Sequence, residues 1–265
     1  KLGVDRLSIT ASKFGLGTKV LKKTYESEKK GLVPNTKWKR NKLGKGWVLG
    51  ETLITGIGQG YIQVTPIQLC LMTAQLANGG HKIYPRLIVS KNDESIEDIK
   101  SKIENSESFN IENTTQSLLK IGEETFNTDN KKYFKLFKNQ ENVKLVMDAM
   151  FGSTNEIRGT SYRSRIDDPK YQFAGKTGTS QVKRITKKQR ELDLKIDQIP
   201  YKDRDHALYI GFGPYKNPRY ALSIIVEHGG SGSTTAAPMA KKLFKMIIDR
   251  HEQRELTRKK NLVST

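Results

Sequence analysis

Two apolar runs near the end of the chain, Ala207-Leu208-Tyr209-Ile210-Gly211-Phe212-Gly213 and Tyr220-Ala221-Leu222-Ser223-Ile224-Ile225-Val226-Glu227, restrict the fold more than any other stretch. Both are short and rich in aromatic and aliphatic residues, and turn residues bound them, so they read as strands. Pro214-Tyr215-Lys216-Asn217-Pro218 supplies the turn that joins them. The second run is nearly continuous in apolar residues, as expected of a strand covered on both faces.

A third extended stretch, residues 171–182, contains Ala174-Gly175-Lys176-Thr177-Gly178-Thr179-Ser180-Gln181-Val182. Its glycines let another backbone approach closely, and a lysine cation beside two hydroxyls has the makings of a carboxylate receptor. We therefore expect an active-site edge strand here. Lys-Thr-Gly by itself is a tripeptide that also suits a polar turn, so its meaning depends on what surrounds it.

Helical signals flank these strands. Leu2, Val4, Leu7 and Ile9 lead to Phe14-Gly15-Leu16-Gly17, which closes a first helix. Thr65 as N-cap and Pro66 at the first helical position open a helix through Ala77, apolar on nearly every face, that Asn78-Gly79-Gly80 stops. Val143, Leu145, Val146, Ala149 and Met150 make residues 141–151 amphipathic, with Gly152 as the end. Thr235 caps a last helix with Pro238 in its first turn, and the polar tail 250–265 is expected to fray. Between these elements lie a basic surface segment, 18–50, anchored by Trp38 and Trp47; a rim strand over 83–89; a peripheral insertion, 90–142; a charged excursion, 183–204; and a flexible loop, 228–233.

The chain has 265 residues, enough for a substantial core. Its 47 basic and 28 acidic residues give a net charge of +19, which favours an anionic partner or environment. The excess is scattered (Lys22-Lys23, Lys131-Lys132, Lys187-Lys188, Lys241-Lys242) instead of forming one arm with interleaved aromatics, which argues against nucleic acid. A single cysteine, Cys70, and four histidines without ligand spacing give no support to an internal disulfide or a metal site, and no cofactor is implied. Thr55-Gly56-Ile57-Gly58-Gln59-Gly60 lacks the Gly-Lys-Ser/Thr ending of a phosphate loop and the spacing of a dinucleotide fingerprint.

The order of these segments is specific. Ile57-Gly58-Gln59-Gly60-Tyr61 with Val64-Thr65-Pro66-Ile67-Gln68, then Ala174-Gly175-Lys176-Thr177-Gly178-Thr179, then Asp205-His206-Ala207-Leu208-Tyr209-Ile210-Gly211-Phe212, then Val226-Glu227-His228-Gly229-Gly230 with Ala236-Ala237-Pro238, together resemble the transpeptidase domain of the penicillin-binding proteins. The likeness is strongest to the elongation-type class B members, the penicillin-binding protein 2 group. It implies an α+β fold of the penicillin-binding-protein and serine β-lactamase kind, an antiparallel sheet with helices on both faces, with residues 1–249 as the C-terminal portion of that domain. It also implies a serine D,D-transpeptidase that crosslinks peptidoglycan through an acyl-enzyme and is acylated by β-lactams. Carried over, Lys176 and Thr177 bind the terminal carboxylate of a D-Ala-D-Ala stem or of a β-lactam, Gly178 permits close approach, and the Thr179 backbone N–H is half of an oxyanion hole. The implied location is the periplasmic face of the bacterial inner membrane, with glycan-polymerising and elongation-complex membrane proteins as partners.

That chemistry also needs Ser-x-x-Lys and Ser-x-Asn. Ser27-Glu28-Lys29-Lys30, Ser117-Leu118-Leu119-Lys120 and Ser180-Gln181-Val182-Lys183 spell the first, but 17 serines and 34 lysines produce about two such tetrads by chance. Ser90-Lys91-Asn92 and Ser153-Thr154-Asn155 spell the second, yet in the family that motif lies before the Gly-Gln-Gly turn. We therefore expect the nucleophile, its lysine and the second motif upstream of Lys1, on a missing N-terminal half that also carries the membrane anchor. The chain alone is then expected to be inactive, with one strand edge of the sheet unpaired, an aggregation hazard. Other readings are a β-lactam sensor or a D,D-carboxypeptidase of the same fold, and a basic nucleic-acid-binding or scaffold protein in which Lys-Thr-Gly is only a turn.

Overall fold

In a computed structural model, residues 2–21, 27–85, 134–183 and 196–263 are described. Three antiparallel strands, β1 (Ala174–Ser180), β2 (His206–Gly213) and β3 (Tyr220–Val226), form a sheet in the order β1-β2-β3. The register pairs Thr177 with Tyr209 and Tyr209 with Ile224. The strand alternation sets two faces. On one, Phe173, Ala207 and Tyr209 pack with Ala237, Ala240 and Phe244 of the terminal helix; on the other, Ala174 and Phe212 pack with Leu76, Val143 and Met150. The sheet thus has helices on both faces, as expected for this α+β fold.

Six α-helices are described: α1 (Val4–Lys13), α2 (Thr36–Leu43), α3 (Leu49–Gly56), α4 (Pro66–Ala77), α5 (Gln140–Asn155) and α6 (Ala237–Val263). The best-capped of them is α4. Thr65 accepts from the Gln68 N–H while the Gln68 side chain accepts from the Thr65 N–H, the reciprocal box its sequence encodes. Its interior differs from expectation: Gln68, Thr73 and Gln75 are fully buried. Gln68 donates to Thr18 O and Lys30 O and Gln75 donates to Phe14 O, so the polar side chains pin the preceding loops instead of facing solvent.

Several boundaries shift, each for a tertiary reason. The segment 18–50 is not continuous loop: Asn35 accepts from the Trp38 N–H to start α2, and Gly44, at φ 65°, closes it. Trp38 and Trp47 are half-buried around Tyr61. Gly152 does not end α5. The helix runs to Asn155 because Thr154 hydrogen-bonds the Tyr209 hydroxyl at 2.9 Å and Asn155 donates to Phe173 O at 2.9 Å. The loop after β3 turns at Gly230 into a single π-helical segment, Gly232–Ala236, so Ser231 and not Thr235 caps this end of α6. The tail is helical through Val263, tied by Arg219–Glu255 and Lys170–Glu252 ion pairs.

β3 is half-buried along its whole length instead of being covered on both faces. Among the described residues it pairs with β2 alone, and buried hydroxyls of Tyr220 and Ser223 on it have no partner. Residues 83–85 are not a strand, and 86–89 lie outside the described residues. So do most of the 90–142 insertion and residues 184–195; the end of the insertion is built into the core, with Leu136 buried and Phe137 against Phe14.

Candidate active site

Lys176, Thr177, Gly178 and Thr179 lie consecutively on β1, an edge strand among the described residues. Gly175 and Gly178 are there for space. A Cβ at Gly175 would stand 2.2 Å from the Tyr209 hydroxyl, and one at Gly178 would stand 3.3 Å from Leu208 Cβ. The Lys176 Nζ folds over the edge and donates to Thr177 O at 2.8 Å and Thr177 Oγ1 at 3.3 Å. Lys176 and Thr179 are exposed and Thr177 is half-buried, so cation and hydroxyl face an open side.

Two further residues complete this edge. The Gln59 amide, from the Gly-Gln-Gly turn after α3, donates to Thr179 O at 2.9 Å across 120 positions of sequence. Thr160 Oγ1 lies 3.0 Å from Thr177 Oγ1 and 3.3 Å from Ser153 Oγ. A lysine ammonium can only donate, so Thr177 accepts from Lys176 and keeps its own hydroxyl hydrogen to offer elsewhere. The free donors of this edge, an ammonium and hydroxyls, suit a carboxylate.

Sequence reasoning missed Gln59 and Thr160. A polar side chain between Gly58 and Gly60, both at positive φ, was the available signal for the first. For the second it was Gly159, where a Cβ would meet Ser153 O at 2.3 Å, a sign of a chain folded tightly back on α5. Ser153-Thr154-Asn155, one of the Ser-x-Asn matches, is bonded to Thr160, Tyr209 and Phe173 and so supports β1. Ser90-Lys91-Asn92 and Ser117-Leu118-Leu119-Lys120 lie outside the described residues. In the other tetrads, Glu28 is buried and accepts the Val20 and Leu21 N–H groups, and Lys183 pairs with Asp203. Cys70, half-buried on α4 with its thiol pushed up by burial, is remote in role, its Sγ against Ala221 O. Among the described residues no three His, Cys, Asp or Glu side chains gather as a metal-binding group.

The penicillin binding protein transpeptidase domain matches residues 1–245. The chain belongs to this family. Among curated relatives, the peptidoglycan D,D-transpeptidase MrdA of Salmonella typhimurium is 33% identical over 248 residues, 94% of this chain and 35% of the relative. MrdA of Escherichia coli K12 is 31% identical over 94% of this chain and 33% of the relative. Among solved structures, Pseudomonas aeruginosa PBP2 in complex with WCK 5153 superposes with a TM-score of 0.64 at 34% identity, covering 91% of this chain and 41% of that one. The complex of PBP2 and MreC from Helicobacter pylori gives a TM-score of 0.67 at 25% identity, covering 93% and 36%. The chain spans about a third of the length of the curated relatives it matches.

Proposed function

We propose that this chain supplies the carboxylate-receptor wall of a serine peptidoglycan D,D-transpeptidase. In that reaction a serine oxygen attacks the penultimate D-Ala carbonyl of a stem peptide and expels the terminal D-Ala. An amine of a second stem then takes the acyl group and releases the serine. Lys176 and Thr177 hold the terminal carboxylate by charge and a hydroxyl hydrogen bond, and a β-lactam carboxylate takes the same place. Gly178 lets the substrate backbone lie against the strand.

The observation that carries the reading is the Gln59 bond to Thr179 O. In an extended strand a residue's N–H and C=O leave on the same side. The Thr179 carbonyl is engaged from beyond β1, so its N–H faces the open edge, where an oxyanion donor is needed. The second donor is the N–H of the nucleophile itself, the serine of a Ser-x-x-Lys. The same edge fits a D,D-carboxypeptidase, which differs only in the acceptor of the acyl group.

By likeness to the relatives, the protein works at the periplasmic face of a bacterial inner membrane beside glycan-polymerising and elongation-complex proteins. MreC, seen with the Helicobacter pylori protein, is the partner class that favours the elongation role. No described helix is long and apolar enough to cross a membrane.

Labelled penicillin tests the assignment. Mixed with a Ser-x-x-Lys half of the domain, the chain should support covalent labelling, and Lys176→Ala should cut the labelling rate about a hundredfold, as for loss of a charged, hydrogen-bonded partner. Labelling of the chain alone, or undiminished labelling with Lys176→Ala, would refute it.

A further inference from the structure

A groove of about 710 Å³ opens between the loop that precedes β1 and the first turns of α6. Its walls carry Arg163, Lys241, Lys242 and Lys245, with Asp168 as the single carboxylate, and Ser233 and Thr234 contribute hydroxyls. Arg163, Lys241 and Lys242 make no ion pair among the described residues, and Lys245 meets only the Tyr171 ring, at 5.9 Å. Nearby Lys170 is already satisfied by Asp249 and Glu252. Four cations against one carboxylate in a concave site repel one another, and an anion with several charges relieves that repulsion.

The groove is fastened to the active edge at both walls. Thr160, bonded to Thr177, lies three positions before Arg163, and Gly232, immediately before Ser233, rests on Gly178, where a Cβ would meet Gly178 O at 2.5 Å. The side chains of Phe173 and Tyr209 place the α6 side of the sheet, and strand alternation puts Thr177 on that same side. The stem whose carboxylate sits at Lys176 and Thr177 leaves past Thr179, so the cations, which lie on the other side of its terminus, meet a neighbouring stem of the same polymer and not the reacting one. Tyr171, Ile166 and Pro238 give the groove an apolar floor for the uncharged parts of such a ligand.

We propose that this groove binds a carboxylate-rich polymer, namely a further stretch of the peptide-bearing wall polymer whose stem end enters at Lys176. The identity of the polymer rests on the transpeptidase reading; the polycarboxylate chemistry rests on the groove alone. Binding weakens as salt rises, because the cations are exposed. Its role is to hold the strand in register with the reacting stem, by linking two weak contacts into one stronger one.

Poly-L-glutamate binding to the chain, measured by fluorescence anisotropy at low salt, is the direct test. Lys241→Gln, Lys242→Gln and Lys245→Gln combined should raise the Kd about tenfold, while Lys37→Gln, Lys42→Gln and Lys45→Gln, which lower the net charge equally on and just after α2, should leave it within about twofold. Arg163→Gln alone, on the opposite wall, should weaken binding in the same direction, which guards against misfolding of the α6 variant. Poly-L-glutamine should not bind. Equal losses in the two triple variants, no loss in the groove variant, or tighter binding to phosphatidylglycerol vesicles than to poly-L-glutamate would overturn the proposal. Failure of penicillin labelling with intact groove binding would instead count against the transpeptidase reading only.

Discussion

Tyr209 lies beneath the Lys-Thr-Gly strand, paired in register with Thr177, fully buried, with its hydroxyl bonded to Thr154. Burial pushes its phenol from 10.0 up to about 12, and the Thr154 and Ser161 hydroxyls only partly oppose this. The native state therefore binds this proton more tightly than the unfolded chain. The stability so gained is fully present below the unfolded value and is lost as pH rises through the folded one, a window from about pH 10 to about pH 12. Two units correspond to about 3 kcal/mol. Tyr209→Phe cannot lose this amount but gives up one hydrogen bond, about 1 kcal/mol, since Thr154 keeps Ser161 and Met150 O as partners. At pH 8 the variant should be less stable by about 1 kcal/mol, and the two stability curves should cross near pH 11, above which the variant is the more stable. Urea unfolding in dilute solution, followed by circular dichroism at pH 8 and pH 11.5, reads both arms. A variant that stays less stable at pH 11.5 by the same margin would show that Tyr209 titrates as in water, and the argument from burial would fail.

Replacing Gln59 by alanine frees Thr179 O and should slow penicillin labelling about tenfold with little change in melting temperature, because the bond lies at an exposed edge; an unchanged rate removes Gln59 from the site. Gly232→Ala drives a Cβ to 2.3 Å from Leu208 O, so we expect a loss of about 1–3 kcal/mol in urea unfolding, and a neutral result would mean the π-helical segment does not press on the sheet. Glu255 is held below the usual carboxylate range by Arg219 first and then His251. A depressed carboxylate stabilises above its unfolded pKa and ceases to as pH falls through the folded value, so α6 should lose helicity below about pH 4.5; a Glu255→Gln variant that melts identically with acid would disprove the link. With the outer edge of β3 unpaired among the described residues, the chain alone should self-associate at micromolar concentration, which light scattering would detect. A strictly monomeric, cooperatively unfolding chain would contradict this.

How much of this was legible in the sequence differs from element to element. Thr65-Pro66 and Gln68 encode the start of α4 locally, since cap, first-turn proline and reciprocal box lie within four residues. The strand pair 206–213 and 220–226 was equally plain, because period and turn residues are local signals. Lys176, Thr177, Gly178 and Thr179 could be named as candidates from the order of segments alone, and they lie within the residues the family model matches.

What only the tertiary structure decided were the facts that depend on distant partners. Gly152 sits inside α5 because Tyr209 and Phe173 hold the next turn. The tail of α6 stays helical because Arg219 and Lys170 pair with it. Gln59 meets Thr179 from 120 residues away. Local chemistry writes caps, turns and strand period into a few adjacent residues, whereas a hydrogen bond or ion pair across the fold leaves no mark on the neighbours of either partner. The sequence determined which residues make up the Lys-Thr-Gly strand; the packing decided which edge they face and which residues hold them there.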